Sequence, residues 1–238
     1  MKATPLEFRF RFLILASIYF LGFVAPWDQW LHLDSIRTWQ LIASWPTRAG
    51  WLNFNTATIV VLLFGILCAL KGAILRTWAT AYLGPSIVQD KAMHGEEVVA
   101  AGPYRRLRNP LYLGTFIHTL ALALLMPPSG AIFCILAVFL FQLRLIAGEE
   151  SFLTAKLGEP YFAYRAKVPS LIPAIIPRVS GSFTKPNWPA AFLGEIYMWG
   201  VVVTFAVLGW RYNSILLIKG VLISLGVSLI VRAFLPKR

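Results

Sequence analysis

The sequence predicts an all-α integral membrane protein, a polytopic helical bundle with about six transmembrane helices. Of its 238 residues, 58% are hydrophobic and only 13% are charged, and the mean hydropathy is +0.69. Soluble domains carry about twice that share of charged residues. Several apolar runs approach the roughly 20 residues that a helix needs to cross a hydrocarbon core. A chain of this length is therefore expected to form one compact bundle.

The predicted spans follow from the positions of these apolar runs. In chain order they cover residues 12–31, 56–76, 111–126, 131–147, 190–210 and 214–235. The first run lacks a small-residue cleavage site, so we interpret it as a retained helix and not as a signal peptide. The connection 34–55 is rich in Trp and predicts a short amphipathic helix in the membrane interface. The only cysteines, Cys68 and Cys134, lie inside apolar runs and indicate no disulfide or metal framework.

The net charge of +12 is explained by membrane topology. Lys and Arg accumulate in cytoplasmic loops. If both termini and the polar segments 77–110 and 148–188 face one side, that side holds most of the 22 basic residues. We therefore expect these four regions to be cytoplasmic, and we expect no nucleic acid partner.

The third and fourth predicted spans form an antiparallel hairpin, because the turn between them is only Pro127-Pro128-Ser129-Gly130. The start of one span then lies beside the end of the other. This geometry brings Asn109-Pro110 together with Glu149-Glu150. The sequence thus predicts a polar pocket at the cytosolic boundary of the membrane, open to a soluble molecule on one side and to lipid on the other.

Both corners of this pocket carry informative residues. Pro110 fits the first turn of a helix, so we expect Asn109 to be the N-cap. Glu149 and Glu150 come at the predicted end of a span, where acidic side chains are unfavourable to the helix dipole. Either a bound cation or neighbouring basic side chains would compensate them. The candidate basic partners are Arg105, Arg106, Arg108 and Lys156.

Three further polar residues lie within the predicted spans. Arg144 is costly at that depth and suggests a function, such as a two-pronged contact with an anionic substrate; snorkelling to the interface is the alternative. Glu195 favours a structural ion pair, and His118 favours a buried side chain with satisfied hydrogen bonds. Glycines in the last two spans predict close helix packing. These are Gly200, Gly209, Gly220 and Gly226.

A set of short motifs occurs in a fixed order between about residues 75 and 173. The motifs are Arg76-Thr77-Trp78-Ala79, Leu83-Gly84, Gly102-Pro103-Tyr104, Arg108-Asn109-Pro110, Tyr112-Leu113-Gly114, Glu149-Glu150, Leu153, Gly158, Tyr161, Tyr164 and Val168-Pro169. Taken together, in their order and spacing, they resemble the isoprenylcysteine carboxyl methyltransferase family. We accordingly expect a core at 75–177 between helices at 1–74 and 178–238.

The resemblance implies a membrane methyltransferase that uses S-adenosylmethionine and a lipophilic acceptor, such as an isoprenylcysteine-type acid. It implies that Arg144 orients the acceptor, although the family's arginine lies four residues before the first acid and Arg144 lies five before. The implied cofactor-binding residues are Gln89, Glu96, Glu97, Val98, Val99, Tyr104, Asn109, Pro110, Leu111, Tyr112 and Glu149. The family usually has His where this chain has Asn109, and an amide copies only part of imidazole hydrogen bonding.

Other functions stay open at this point. Phospholipid N-methyltransferases share the paired acids, and membrane sterol reductases bind NADPH in a related helical frame. A non-catalytic membrane protein or transporter is a third interpretation. Transporters tend to have internal repeats and broken helices, and the sequence indicates neither.

Overall fold

The structure is a computed structural model that describes residues 2–27, 36–90, 93, 98–181 and 184–234. The described residues are helical or irregular, with no strand among them. The helices are α1 (Pro5–Arg9), α2 (Arg11–Val24), α3 (Thr38–Arg48), α4 (Phe54–Leu83), α5 (Pro85–Gln89), α6 (Pro110–Ala123), α7 (Pro128–Leu157), α8 (Glu159–Lys167), α9 (Trp188–Gly194), α10 (Ile196–Val203) and α11 (Ser214–Phe234). A 3-10 turn covers Gly102–Arg105. The all-α prediction is confirmed for this part of the chain.

Three of the described helices, α4, α7 and α11, are long and apolar enough to cross a membrane. The pair of α9 with residues 196–211 makes a fourth if it is one bent span, and α2 and α6 are apolar but shorter. These helices are consistent with an integral membrane protein. The amphipathic helix predicted in the 34–55 connection is present as α3, with Ala43 fully buried and Trp45 exposed.

The centre of the bundle is the crossing of α4 with α6. Gly72 and Gly114 lie face to face there, and a Cβ built on Gly72 would come within 2.8 Å of the Gly114 carbonyl oxygen. Small residues allow two helix backbones to approach this closely. The main apolar core surrounds the crossing. It includes Leu122, Leu125, Val138, Val201 and Phe205.

Two helices extend beyond the apolar runs from which they were predicted. The second span continues to Leu83 and ends at Gly84, whose φ is 95°. The fourth span runs from Pro128 to Leu157 and ends at Gly158, whose φ is 61°. Glu149 and Glu150 therefore lie inside α7 and not at its end. The prediction that the helix dipole disfavours them there was wrong.

The predicted fifth span is broken. Its two parts, α9 and the helix that begins at Ile196, are bent by 67° at Glu195. The expectation that no span is interrupted was therefore wrong. Glu195 is buried and accepts two hydrogen bonds from Arg76, at 2.7 and 2.8 Å, and a third from Thr80 at 2.8 Å. The structural ion pair predicted for Glu195 is thus confirmed, and it fastens the bend to α4.

The predicted glycine packing is confirmed at three positions. A Cβ on Gly200 would meet Ser224, one on Gly220 would meet Thr204, and one on Gly209 would meet Leu62. Gly226 faces open space, so the prediction was wrong there.

Candidate functional site

The hairpin of α6 and α7 brings its two polar corners into direct contact. The hydroxyl of Tyr112, in the first turn of α6, donates a hydrogen bond to Oε2 of Glu149 at 2.9 Å. The Asn109 amide donates to Oε1 of Glu150 at 3.0 Å. The predicted meeting of Asn109-Pro110 with Glu149-Glu150 is therefore confirmed. Its cause is the one anticipated, namely a tight turn between antiparallel helices.

Glu150 is the structural member of the acidic pair. Arg108 donates to both of its oxygens, from Nε at 2.9 Å and from Nη2 at 3.2 Å. Ser170 donates to Oε1 at 3.3 Å, and Arg165 forms a longer ion pair at 3.5 Å. A buried carboxylate held by a two-pronged guanidinium and further donors is electrostatically compensated. Arg108, one of the four predicted basic partners, is the main one.

Glu149 is different, because within the described part of the chain its side chain accepts one hydrogen bond, from Tyr112. It is partly buried on the face of α7 that contacts α6. A carboxylate has about four lone-pair positions. Glu149 can therefore accept further hydrogen bonds from a ligand, whereas most acceptor positions of Glu150 are already occupied by protein donors.

Asn109 does not act as the predicted side-chain cap. It occupies the N-cap position of α6, but its side chain makes no capping hydrogen bond. The Nδ2 group instead contacts Glu150 and both the carbonyl and hydroxyl oxygens of Ser170. The competing carboxylate is the physical reason for this difference. Asn109 thus joins the hairpin to the segment that follows α8.

Both α8 and the segment that follows it are hydrogen-bonded to the residues before α6. Tyr164 donates to the carbonyl of Tyr104 at 2.8 Å, and Arg108 Nη1 donates to the carbonyls of Arg165 and Val168. The backbone N–H of Arg108 donates to Pro169 at 2.9 Å. The end of the first polar segment, from Tyr104, and the second segment around residues 164–170 therefore form one structural unit at the start of α6.

Tyr104 is buried in this unit, and its hydroxyl has no hydrogen-bond partner among the described residues. Burial raises the pKa of its phenol well above the usual range, and the nearby Glu149 carboxylate raises it further. The hydroxyl is therefore neutral at physiological pH. A buried polar group without a partner is uncommon and calls for an explanation, and a ligand next to Glu149 would supply one.

The other predicted cofactor residues divide into three groups. Pro110 is buried at the first position of α6, and the Leu111 carbonyl accepts a hydrogen bond from Thr115. Val98 packs on the aromatic cluster around Tyr161, and Val99 is partly buried beside it in sequence. Glu96, Glu97 and the side chain of Gln89 lie outside the described residues.

Arg144 lies on α7, and among the residues that the structure describes its guanidinium bonds to the N-terminal helix and not to Glu149. Its Nη2 donates to both oxygens of Glu7, at 2.8 and 2.9 Å. The Arg144 carbonyl accepts from the backbone N–H of Ala3 at 2.9 Å. Arg144 thus binds a carboxylate in this structure, and that carboxylate belongs to the chain itself. Its assignment to a substrate stays a prediction.

The sequence analysis missed Arg11 as a site residue. It is buried at the start of α2, where it lies near Tyr112 and Glu149. The guanidinium stacks on Phe8 and Phe12, with centroid distances of 4.2 and 4.6 Å, and donates to the carbonyls of Val88 and Asp90. A charge at the edge of an apolar run was the available signal. The sequence analysis used Arg11 only as evidence for membrane orientation and did not consider it as a site residue.

His118 is buried as predicted, but it lacks the hydrogen bonds that were predicted for it. Neither ring nitrogen has a partner among the described residues. The imidazole instead stands edge-on to the ring of Tyr197, at a centroid distance of 5.4 Å. The prediction of satisfied hydrogen bonds at His118 was therefore wrong.

Comparison with known proteins bears directly on this arrangement. A family model described as "Phospholipid methyltransferase" matches residues 60–159, which contain α6, α7 and most of the site. Curated proteins named "Protein-S-isoprenylcysteine O-methyltransferase" are 34% identical over 129 residues in Schizosaccharomyces pombe and 27% identical over 159 residues in Dictyostelium discoideum. The resemblance to the isoprenylcysteine carboxyl methyltransferase family is confirmed.

The matches to isoprenylcysteine carboxyl methyltransferases are partial in length. They cover 52% of this chain and 53% of the S. pombe protein, and 65% of this chain and 59% of the D. discoideum protein. A protein of the same name from Xenopus laevis is 29% identical, over 53% of this chain and 49% of its own. The chain thus spans about half to three fifths of the length of these relatives. No solved structure matches it at a significant level.

Proposed function

We propose that this chain is an integral membrane methyltransferase that transfers a methyl group from S-adenosylmethionine to a lipophilic carboxylate. The observation that carries the proposal is the Tyr112–Glu149 contact. It joins the two motif segments of the family resemblance at one partly buried acidic group. The acceptor class follows the relatives, whose names specify isoprenylcysteine O-methylation.

The residues present fit the cofactor chemically. S-adenosylmethionine carries a positive sulfonium and an amino group. A negatively charged carboxylate that can still accept hydrogen bonds suits both groups. Glu149 would hold this cationic part. The unpartnered Tyr104 hydroxyl would donate to a polar group of the ligand or accept from one, since a phenol does both. The remaining cofactor residues predicted from the resemblance would line the same cleft.

S-adenosylmethionine supplies a methyl carbon that positive sulfur already activates. A carboxylate acceptor is ionised at neutral pH and needs no general base. The protein's own contribution is then positioning of the acceptor, which can supply about 7–11 kcal/mol of the barrier. Arg144 would hold the acceptor carboxylate, and its existing contact with Glu7 supports this role because the ligand chemistry is the same.

An amine acceptor is the second candidate, and the phospholipid methyltransferase model favours it. Such an acceptor must lose a proton before or during transfer, and a guanidinium at Arg144 is a poor neighbour for it.

An NADPH-dependent reaction is less well supported. Arg105 donates to the Val179 carbonyl and Arg108 to Glu150, so two of the three arginines that could bind its phosphates are engaged.

A direct test uses the purified full-length chain in lipid nanodiscs. S-adenosylhomocysteine and NADPH are titrated separately, and the first is expected to bind. The protein is then incubated with methyl-labelled S-adenosylmethionine and either an isoprenylcysteine-type acid or phosphatidylethanolamine. Base-labile label in the acid supports the proposal. Label on the amine, or binding of NADPH alone, would replace it with the corresponding alternative.

A further inference from the structure

The loop after α8 exposes an apolar surface outside the candidate site. Ile172, Ile175 and Ile176 are 81%, 91% and 63% exposed. They lie in an irregular segment between Pro169 and Pro177. Contiguous exposed apolar side chains mark interaction surfaces with protein or membrane. We call residues 172–176 the isoleucine loop.

The isoleucine loop is held in a defined conformation. The Ala174 N–H donates to the Arg106 carbonyl at 2.9 Å, and the Arg178 N–H donates to the Arg105 carbonyl at 2.8 Å. Arg105 Nε returns a bond to the Val179 carbonyl at 3.0 Å. The loop backbone is thus tied on both sides to the strip that precedes α6. Its exposed side chains therefore form an ordered surface, which is suited to a specific binding partner.

Charge around the loop indicates which occupant that is. Residues 160–194 contain no Asp or Glu. Their basic residues are Arg165, Lys167, Arg178 and Lys185, and all four are exposed. Apolar side chains whose charged neighbours in the sequence are all Lys or Arg suit an anionic lipid surface, which attracts basic residues close to it. An amphipathic surface of this kind lies at the boundary of headgroups and acyl chains.

The irregular backbone limits how deeply the isoleucine loop can enter the bilayer. Chain without regular secondary structure is not found exposed to the hydrocarbon core, where unpaired N–H groups cannot be satisfied. The loop contains Pro173 and is followed by Pro177, which lack that donor. The interfacial layer therefore suits both the backbone and the isoleucine side chains.

We propose that the isoleucine loop is an interfacial anchor that seats in a bilayer surface containing anionic lipid. The isoleucines enter the boundary of the acyl chains, and the basic side chains contact headgroup phosphates. Because the loop is bonded to residues 105 and 106, the anchor also fixes the strip that carries Tyr104 relative to the membrane. The proposal does not depend on methyl transfer.

The test measures depth in the full-length chain in nanodiscs. A polarity-sensitive fluorophore is attached at Ile175→Cys; the native cysteines are both buried, and the parental protein controls for their labelling. The matched control is Glu159→Cys, an exposed polar position at the start of α8. Lipids with a nitroxide on the upper acyl chain are expected to quench the Ile175 probe several-fold more than the Glu159 probe. Equal lipid quenching at both positions, with aqueous iodide reaching both, would overturn the proposal.

A second arm tests the charge. Quenching at Ile175→Cys is expected to increase when phosphatidylglycerol replaces part of the phosphatidylcholine. Adding Arg178→Gln and Lys185→Gln is expected to remove that increase. An increase that survives these changes would contradict the proposed contact of Arg178 and Lys185 with the headgroups. A probe that stays water-exposed until a prenylated peptide is added would identify a protein-docking surface instead and would also overturn the anchor. Cofactor titration in the same nanodiscs reports on the methyltransferase proposal separately.

Discussion

Arg76 and Glu195 form a two-pronged buried ion pair that links α4 to the bend between α9 and α10. Nε and Nη2 of Arg76 lie 2.7 and 2.8 Å from the two carboxylate oxygens, and the side chains are only 15% and 4% exposed. Arg76 Nη1 also donates to Thr115 of α6 at 2.8 Å. One guanidinium therefore holds together the helix that begins the site and the broken helix that lies outside the family match.

Removing one partner of this pair is expected to be strongly destabilising. Glu195→Leu leaves Arg76 buried without its counter-charge, at a cost of about 3–5 kcal/mol. The double variant Arg76→Leu with Glu195→Leu is expected to recover part of that loss, because no orphaned charge remains. Thermal unfolding of the four proteins in detergent gives the double-mutant cycle, with Glu159→Ala as an exposed control. Additive losses would show that the two residues act independently.

The sequence carried enough information to predict the meeting of the two acidic and prolyl corners. A short Pro-rich turn requires adjacent antiparallel helices, and this requirement alone places Asn109 beside Glu150. It also placed Arg108 among the partners of the acids. These inferences depended on local chain geometry, which a single sequence specifies well.

The residues at which helices end, and the pairs formed between distant residues, could not be predicted from the sequence. Apolar runs stop at the first charged residues, but helical hydrogen bonding continues until a residue such as Gly158 ends it. Prediction of the Arg144–Glu7 pair required knowing that α1 packs against α7, and no spacing encodes that neighbourhood. The bend at Glu195 likewise depends on Arg76, which is far away in sequence.

Glu149 is expected to matter for ligand binding more than any exposed acid. Glu149→Ala should weaken S-adenosylhomocysteine binding by roughly tenfold or more, since a hydrogen bond to a charged group contributes about 1.5–3 kcal/mol. Isothermal titration in nanodiscs measures this loss. Glu159→Ala, which removes an exposed acid from α8, is the matched control. Equal affinities for the two variants would refute the assignment of Glu149.

Tyr104→Phe separates ligand binding from folding. The hydroxyl has no partner among the described residues, so its removal should not lower the free energy of unfolding, because an unpaired buried polar group costs stability. The same change should weaken cofactor binding by about 2- to 12-fold, the equivalent of one neutral hydrogen bond. Unfolding and titration are measured on the same sample. Unchanged binding together with lowered stability would assign Tyr104 to the core instead.

Asn109→Asp tests the contact between Asn109 and Glu150. The change exchanges an amide donor 3.0 Å from Oε1 for a second carboxylate. Two carboxylates this close cannot both ionise without cost, so we expect a loss of about 1–3 kcal/mol at neutral pH. Lowering the pH should restore stability as one proton is shared. Asn109→His, which keeps an N–H donor, should lose less. An aspartate variant as stable as the parent at neutral pH would show that the amide bond is unimportant.

Acidification should release the N-terminal helix from Arg144. The Thr4 backbone N–H and the Arg144 guanidinium lower the pKa of Glu7 below its ordinary value of 4.5. A group with a lowered folded-state pKa stabilises the fold above its unfolded-state pKa, and the contribution disappears as the pH falls through the folded-state value. The Glu7–Arg144 contact is therefore expected to be complete at neutral pH, to persist at pH 4.5, and to be lost as the pH falls further through the lowered folded-state pKa.

Hydrogen exchange of the first nine residues at a series of pH values measures this release. Exchange should be corrected for its intrinsic pH dependence and compared with the loop at 49–52. Glu7→Gln should show faster exchange in α1 already at neutral pH, because the charged partner is missing, and should show little further change on acidification. If Glu7 also competes with an acceptor carboxylate for Arg144, the same variant should lower the KM for that acceptor and leave cofactor affinity unchanged. An Arg144→Gln variant with parental exchange in α1 would show that other contacts hold the helix.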